Sequence, residues 1–500
     1  MDSKPTTRHA IVVGAGPVGC LAAMALAKQG WAVDVYEGRP DMRLPSSKAA
    51  AQQRSINLAI SSRGIAALKA INPAASDRFL KTVIPMRGRM IHDAQGNENS
   101  QLYDRDGQCI NSIDRALLNE DLLGEALATS NVRVFFRHKI QSIDFDRRTI
   151  SINDAEGGRT FQENFDLCIG ADGSYSIVRR QLMRVVRMDF EQQYIPHEYI
   201  ELKMQPGRDA QGNATFRIDP NHLHIWPRHS FMFIALPNQD KSFTCTLFAP
   251  TSEFDKLNSP DAIIPWFKQY FPDALRLIGE ESVLESFARN PRSPLITIKA
   301  NPYHYKDRGI ILGDAAHSMV PFYGQGLNCG LEDVRVLHVL FQEAGVDPSL
   351  ADDEFHARLE KALSLYSETR HEDLVAIQKL AMDNYVEMRH AVATTSYLLR
   401  RAVDKFLYTI SSPKPVFLDS LAPTLAKIPF PTRRPTGWLP LYTMVTFRPD
   451  IGYASVTKKM QQQSQVISNL GYVATGLLGA AGAGLAWLAY VHRIHKLLSR

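Results

Sequence analysis

Three stretches of this chain join glycines to a carboxylate in a way that suits a phosphate-bearing ligand with polar sugar edges. The first is Gly14-Ala15-Gly16-Pro17-Val18-Gly19, which follows the apolar run 10–13; Glu37 then closes the next apolar run, 32–36. Glycines there permit a tight turn and close approach of a pyrophosphate, and the acid can accept from a ribose hydroxyl. The second is Gly170-Ala171-Asp172-Gly173, again at the end of an apolar run and followed by Ser174, Ser176 and the pair Arg179-Arg180. The third spans 309–333, where Ile310-Ile311-Leu312 runs into Gly313-Asp314 and, after a small-residue turn, Gly324-Gln325-Gly326 opens a helix pattern.

The elements that must position these residues follow from the pattern around them. Strand, glycine turn, helix (Leu21, Ala22, Met24, Leu26), strand and terminal acid come in register, which is a βαβ dinucleotide-binding unit rather than an isolated glycine motif. No second GxGxxG occurs, so a separate nicotinamide-nucleotide domain is not expected. Between 194 and 250 the pattern changes to strand alternation, with Met232, Ile234 and Leu236 on one face and the run 244–248 as a neighbouring strand. At 500 residues the chain is too long for one simple core and divides into two or three packed units.

Composition narrows the function classes. A net charge of +5, without a basic block interleaved with aromatics, gives no reason to expect a nucleic-acid partner. Five scattered cysteines without a CxxC pair argue against a disulfide framework or zinc site and fit a reducing compartment. His222-x-His224 lacks a third ligand at diagnostic spacing, so both read as structural histidines and no metal is expected. His317 reads as a turn residue rather than an acid–base group. The first nine residues are polar, and no N-terminal signal is legible there. Near the other end, residues 470–491 carry no charge and are followed by His492-Arg493-Ile494-His495-Lys496. A helix of that length spans about 33 Å, enough for a bilayer core, and Gly476, Ala480 and Gly484 form a small-residue ridge along it.

Taken together and in this order, GAGPVG, GADGSYSIVRR and GDAAHSMVPFYGQG resemble the three signatures of the group A flavoprotein monooxygenases. The runs QQYIPH (192–197), LHIWPR (223–228), SFTCTLF (242–248), NYVEMR (384–389) and PLYTMVTF (440–447) are similar to the kynurenine 3-monooxygenase branch of that family, over nearly the whole chain. The resemblance implies an α/β fold. A discontinuous Rossmann-like FAD-binding domain would take 1–190 and 295–345, with a β-sheet substrate domain at 191–294. A C-terminal helical region at 346–465 would carry a proline-rich insertion at 411–437, and one transmembrane helix would lie at 470–491. It implies tightly bound FAD on Gly14, Gly16, Val18, Gly19, Glu37, Arg39, Ala59, Arg115, Asp172, Asp314, Leu327 and Asn328. NADPH would be a transient co-substrate, and O₂ the second.

By the same resemblance Arg89, Tyr103, Asn384 and Tyr442 hold the polar end of L-kynurenine, and Leu223, Met232, Ile234 and Phe248 line the slot for its ring. Pro321, Phe322 and Gln325 are the expected catalytic residues beside the flavin. The implied reaction is hydroxylation to 3-hydroxykynurenine through a flavin C4a-hydroperoxide, a step of tryptophan degradation toward quinolinate and NAD. The uncharged segment implies a tail anchor in the mitochondrial outer membrane with the catalytic body in the cytosol. Oligomeric state stays open. Two other readings stay open as well: a membrane-associated FAD hydroxylase or epoxidase of a lipophilic substrate, and an inactive FAD-binding scaffold.

Overall fold

A parallel strand covered on both faces needs an apolar side chain at nearly every position. His9–Val13, Leu167–Gly170 and Gly309–Ile311 meet that demand and are buried almost throughout. The chain is described here from a computed structural model, which covers residues 8–47, 57–389, 394–411 and 436–469. Its first sheet has six strands in the order His304–Tyr305, Gly309–Ile311, Leu167–Gly170, His9–Val13, Ala32–Glu37, Val132–Phe136, all parallel except the first. Register aligns Val13 with both Gly170 and Tyr36, and Gly170 with Ile311. The three glycine–carboxylate turns therefore leave the same edge of the sheet side by side, at the carboxyl ends where α/β sheets bind ligands.

Helix α1 (Pro17–Lys28) follows the first turn, with Pro17 at a position that needs no N–H. α2 (Ser62–Ile71) and α3 (Arg115–Leu127) flank it, the latter capped by the Asp114 carboxylate on the amides of Ala116 and Leu117. α4 (Gly326–Ala344) is buried on every side from Asn328 to Phe341 and forms the centre of the molecule. α5 (Asp352–Arg389) has 38 residues and runs from this centre to the second sheet. α6 (Thr395–Ser411), α7 (Leu441–Phe447) and α8 (453–469) complete the described C-terminal region.

The second sheet has seven strands in the order Ser293–Asn301, Asp189–Met204, Phe243–Pro250, Phe231–Pro237, His222–Arg228, Gly88–His92, Glu98–Leu102. It draws on more of the chain than the expected span 191–294, since Gly88–His92 and Glu98–Leu102 complete one edge and Ser293–Asn301 the other. Alternation divides its residues as the sequence pattern predicts. Phe231, Phe233 and Ala235 join Trp226, Phe267 and Phe271 in a core under the helices of 260–289. Met232, Ile234 and Leu236 face the opposite way, toward the first domain.

A fully buried ionic cluster joins these parts. Arg370 of α5 meets Glu332 at 2.8 Å and Asp333 at 3.0 Å on α4. Arg63 of α2 meets Glu332 at 3.1 Å and donates to the carbonyls of Met444, Val445 and Ile451 at 3.2, 2.6 and 2.5 Å. A buried guanidinium keeps its charge only when its donors are matched in this way. The expected membrane helix at 470–491 and nearly all of the proline-rich stretch 411–437 lie outside the described residues. Among the described residues no helix is long and apolar enough to cross a membrane.

Candidate active site

A single cavity of about 640 Å³ runs from the glycine turns of the first sheet to the inner face of the second. At the near end, Gly14 has φ +102°, and a Cβ there would stand 2.5 Å from the Ala171 carbonyl oxygen. Gly19 lets α1 approach the turn, since a Cβ there would lie 1.9 Å from the Gly14 carbonyl oxygen. Gly16, by contrast, faces open space, with nothing within 4 Å of an added Cβ. That gap lies over the free amides of the first turn of α1, which is where a pyrophosphate is accommodated.

Glu37 closes its strand in the cavity wall and accepts from the Ala15 amide at 2.9 Å. Burial pushes its carboxyl up, but the Arg39 guanidinium and the amide bonds outweigh this and hold it below the usual range. Val18, Arg39, Ala59, Arg115, Asp172, Asp314 and Leu327 line the same cavity. One Asp172 oxygen accepts from Ile177 N–H at 2.7 Å; the other is buried without a partner among the described residues. Gly313 is fixed by its amide bond to Asp333 at 3.0 Å, and His317 bonds the same carboxylate oxygen, so His317 serves the turn. His317, Cys329 and Asp333 converge, yet Arg370 already sits 3.0 Å from Asp333 and 3.5 Å from the Cys329 sulfur, where it would repel a cation.

The far end is built from side chains of distant segments. Arg89 is buried, its guanidinium 5.1 Å from the Tyr442 ring centre and 5.8 Å from that of Tyr103. Tyr103 and Tyr442 stack at 4.4 Å. Burial opposes the Arg89 charge, but Glu387 at 3.2 Å and the surrounding tyrosine oxygens outweigh it and push its pKa up. Leu223, Met232, Ile234 and Phe248 come from adjacent strands whose register pairs Leu223 with Arg89 and Met232 with Phe248. Pro321 and Phe322 lie opposite, with Phe322 stacked on Tyr385 at 3.8 Å and 5.0 Å from Phe248.

Besides Gly19, which packs under the turn, three expected site residues do not line the cavity. Asn328 is fully buried, with its amide N–H groups on the Ala59 and Gly324 carbonyls at 2.8 and 2.7 Å and its oxygen accepting from Ser61 N–H at 2.8 Å. It pins the cavity wall and has no remaining donor for a cofactor. Gln325 is turned into the protein, where its Oε1 accepts from the Tyr453 hydroxyl at 3.2 Å. Asn384 is buried behind Arg89; its Oδ1 accepts from the guanidinium at 3.3 Å while its Nδ2 donates to the Phe322 carbonyl at 2.7 Å. It acts through Arg89 and the Phe322 turn. Residues that went unassigned are Glu387, Tyr323 and Met388. Glu387 follows Asn384 by three positions, one helical turn, so the helix spacing carried a signal for it. The His-x-His pair divides: His222 bonds Ser100 and Asp219, and His224 meets His92 at 2.8 Å.

Residues 7–344 match the FAD binding domain family. Over nearly its full length the chain is 44% identical to a kynurenine 3-monooxygenase of Cryptococcus neoformans var. neoformans, covering 97% of each chain. It is 46% identical to that of Candida albicans (96% of each) and 40% to that of Saccharomyces cerevisiae (98% of each). The chain belongs to the kynurenine 3-monooxygenase family. As a member of the kynurenine 3-monooxygenase family it is an FAD-dependent monooxygenase, and the near end of the cavity fits FAD. The gap over Gly16 at the free amides of α1, with Glu37 in the same cavity wall, suits a dinucleotide. Among solved structures, 2-methyl-3-hydroxypyridine-5-carboxylic acid oxygenase shares the fold with TM-score 0.59 at 19% identity, over 79% of this chain and 95% of that one. A tetracycline destructase does so with TM-score 0.54 at 17% identity, over 85% and 98%.

Proposed function

We propose that this enzyme hydroxylates L-kynurenine to 3-hydroxykynurenine with NADPH and O₂, in tryptophan degradation toward quinolinate and NAD. The observation that carries the reading is a buried guanidinium, Arg89, at the far end of an aromatic slot that opens onto the FAD end. An amino-acid substrate with an aromatic ring needs that arrangement: a planar cation for the carboxylate and a water-poor slot for the ring. Glu387, bound by the Tyr397 hydroxyl at 3.1 Å, holds the Arg89 guanidinium at 3.2 Å.

When bound, FAD would supply the redox chemistry, hydride acceptance from NADPH and activation of O₂ for transfer of one oxygen atom. The protein's own part is placement. Arg89, Tyr103 and Tyr442 set the depth of the substrate, and Leu223, Met232, Ile234, Phe248 and Phe322 set the plane of its ring. These apolar groups also keep water from the reacting atoms, which would otherwise divert oxygen to H₂O₂.

The uncharged segment 470–491 with its basic flank supports a tail anchor, and we place the enzyme on the mitochondrial outer membrane facing the cytosol. The test is NADPH oxidation by the purified chain with and without L-kynurenine, scoring hydroxylated product against H₂O₂. Stimulated oxidation with product is expected. Stimulation by a lipid alone would replace the reading with a lipophilic substrate, and silence toward both would leave a scaffold.

A further inference from the structure

Helix α6 presents an apolar stripe outward. Leu399, Phe406 and Ile410 follow the spacing i, i+7, i+11 of a single helix face and are 67%, 62% and 63% exposed; Leu398 beside them is 42% exposed. Buried helix faces do not look like this, and a solvated one would be polar. The opposite face is attached. Tyr408 is buried, with Arg105 donating to its carbonyl at 3.0 Å, and Arg401 donates to the Leu102 carbonyl at 2.7 Å. Leu102, 56% exposed, extends the apolar surface past the helix.

The charges around the stripe have one sign. Arg400 and Lys405 are exposed on its two flanks. The helix's one carboxylate, Asp404, is turned to the body, where it accepts from Trp438 Nε1 at 2.9 Å. An apolar stripe with cationic flanks and no outward acid matches the boundary between acyl chains and anionic headgroups. Position agrees with chemistry. Arg400 donates to Ser464 of α8 at 2.8 Å, and α8 is described to 469, the residue before the uncharged stretch 470–491 of the sequence. From Ser464 to that segment is about 9 Å of helix.

We propose that α6 lies in the bilayer surface as a second membrane contact, with Leu399, Phe406 and Ile410 in the acyl boundary and Arg400 and Lys405 on anionic headgroups. It rests on the anchored reading only for which side of the body is turned to the bilayer. The contact also bears on the substrate site, because the same helix carries Tyr397, whose hydroxyl holds Glu387 beside Arg89.

The full chain is reconstituted into vesicles of phosphatidylcholine with and without phosphatidylserine, carrying an environment-sensitive fluorophore on Leu399→Cys, Ile410→Cys or, as the exposed control, Gln211→Cys. Unmutated protein gives the blank for labelling of native cysteines. Labels at 399 and 410 are expected to shift to the blue, to be quenched by nitroxide lipids and to be shielded from aqueous iodide; the label at 211 should behave oppositely. Arg400→Glu with Lys405→Glu should remove the dependence on phosphatidylserine. Iodide quenching at 399 and 410 equal to that at 211 overturns the proposal. Shielding from both quenchers also overturns it, and means that residues 412–435 (shielding independent of protein concentration) or a second copy (dependent on it) covers the stripe. Alkaline carbonate extraction reads the anchor separately: release of the protein with lipid quenching intact refutes the anchor and leaves this proposal standing.

Discussion

The two ends of the cavity are built in different ways. The FAD end is main chain: glycine turns at the edge of one parallel sheet, where Gly14, Gly16 and Gly19 act by lacking a side chain. The substrate end is side chain: Arg89, Met232, Phe322 and Tyr442 arrive from four separate segments, and Asn384 ties Arg89 to the Phe322 carbonyl. A main-chain site fails abruptly when the backbone cannot close. A side-chain site weakens in proportion to the contact removed.

That contrast can be broken by experiment. The largest effect is expected from Gly19→Val, whose Cβ would lie 1.9 Å from the Gly14 carbonyl oxygen. The purified variant should lack visible flavin absorbance, and normal flavin content would mean that the turn tolerates what its geometry forbids. Next comes Arg89→Ala, which removes a buried cation and leaves Glu387 unmatched. About 2–5 kcal/mol is at stake, a rise in KM for L-kynurenine of roughly one and a half to three and a half orders of magnitude with bound FAD unchanged. Loss of FAD instead would move Arg89 to the cofactor end. Asn384→Ala should cost less, about 1–3 kcal/mol in kcat/KM, with more H₂O₂ per NADPH because both Arg89 and the Phe322 turn lose a tie. Unaltered coupling would show that Asn384 positions neither.

The smallest effect on turnover at neutral pH concerns the second sheet alone. Burial pushes His92 down to about 3 and His224 down to about 4, so the folded protein holds both neutral while the unfolded chain still takes up protons near its ordinary value. Stability should therefore fall as pH drops from about 6.5 toward 4, by at most about 1.4 kcal/mol per pH unit for each histidine. Urea unfolding across that range should show the loss, and His224→Gln should flatten it. An unchanged slope in that variant would remove the pair from the account.

Legibility in the sequence follows the same division. GAGPVG, Glu37 and Gly313-Asp314 were readable because a backbone requirement leaves a residue type at a fixed spacing. Alternation likewise placed Met232, Ile234 and Leu236 on the inner face of their strand. The side-chain end needed a family resemblance, and there the assignments divide by direction. Gln325, Asn328 and Asn384 are polar residues beside the cavity that point away from it into carbonyls and hydroxyls, and residue type alone carries no orientation. Glu387 was missed for the converse reason, since an acid on a long helix reads as solvated until Arg89 is seen opposite it.

Arg63 sets a schedule for synthesis. Its guanidinium is matched in part by the Ile451 carbonyl, 388 residues later in the chain. At about 5–20 residues per second, the ribosome delivers that partner roughly 20–80 s after Arg63 has emerged. Through that interval the dinucleotide-binding half carries an incompletely matched cation at its centre. It can acquire its final packing only as the last described helices leave the ribosome.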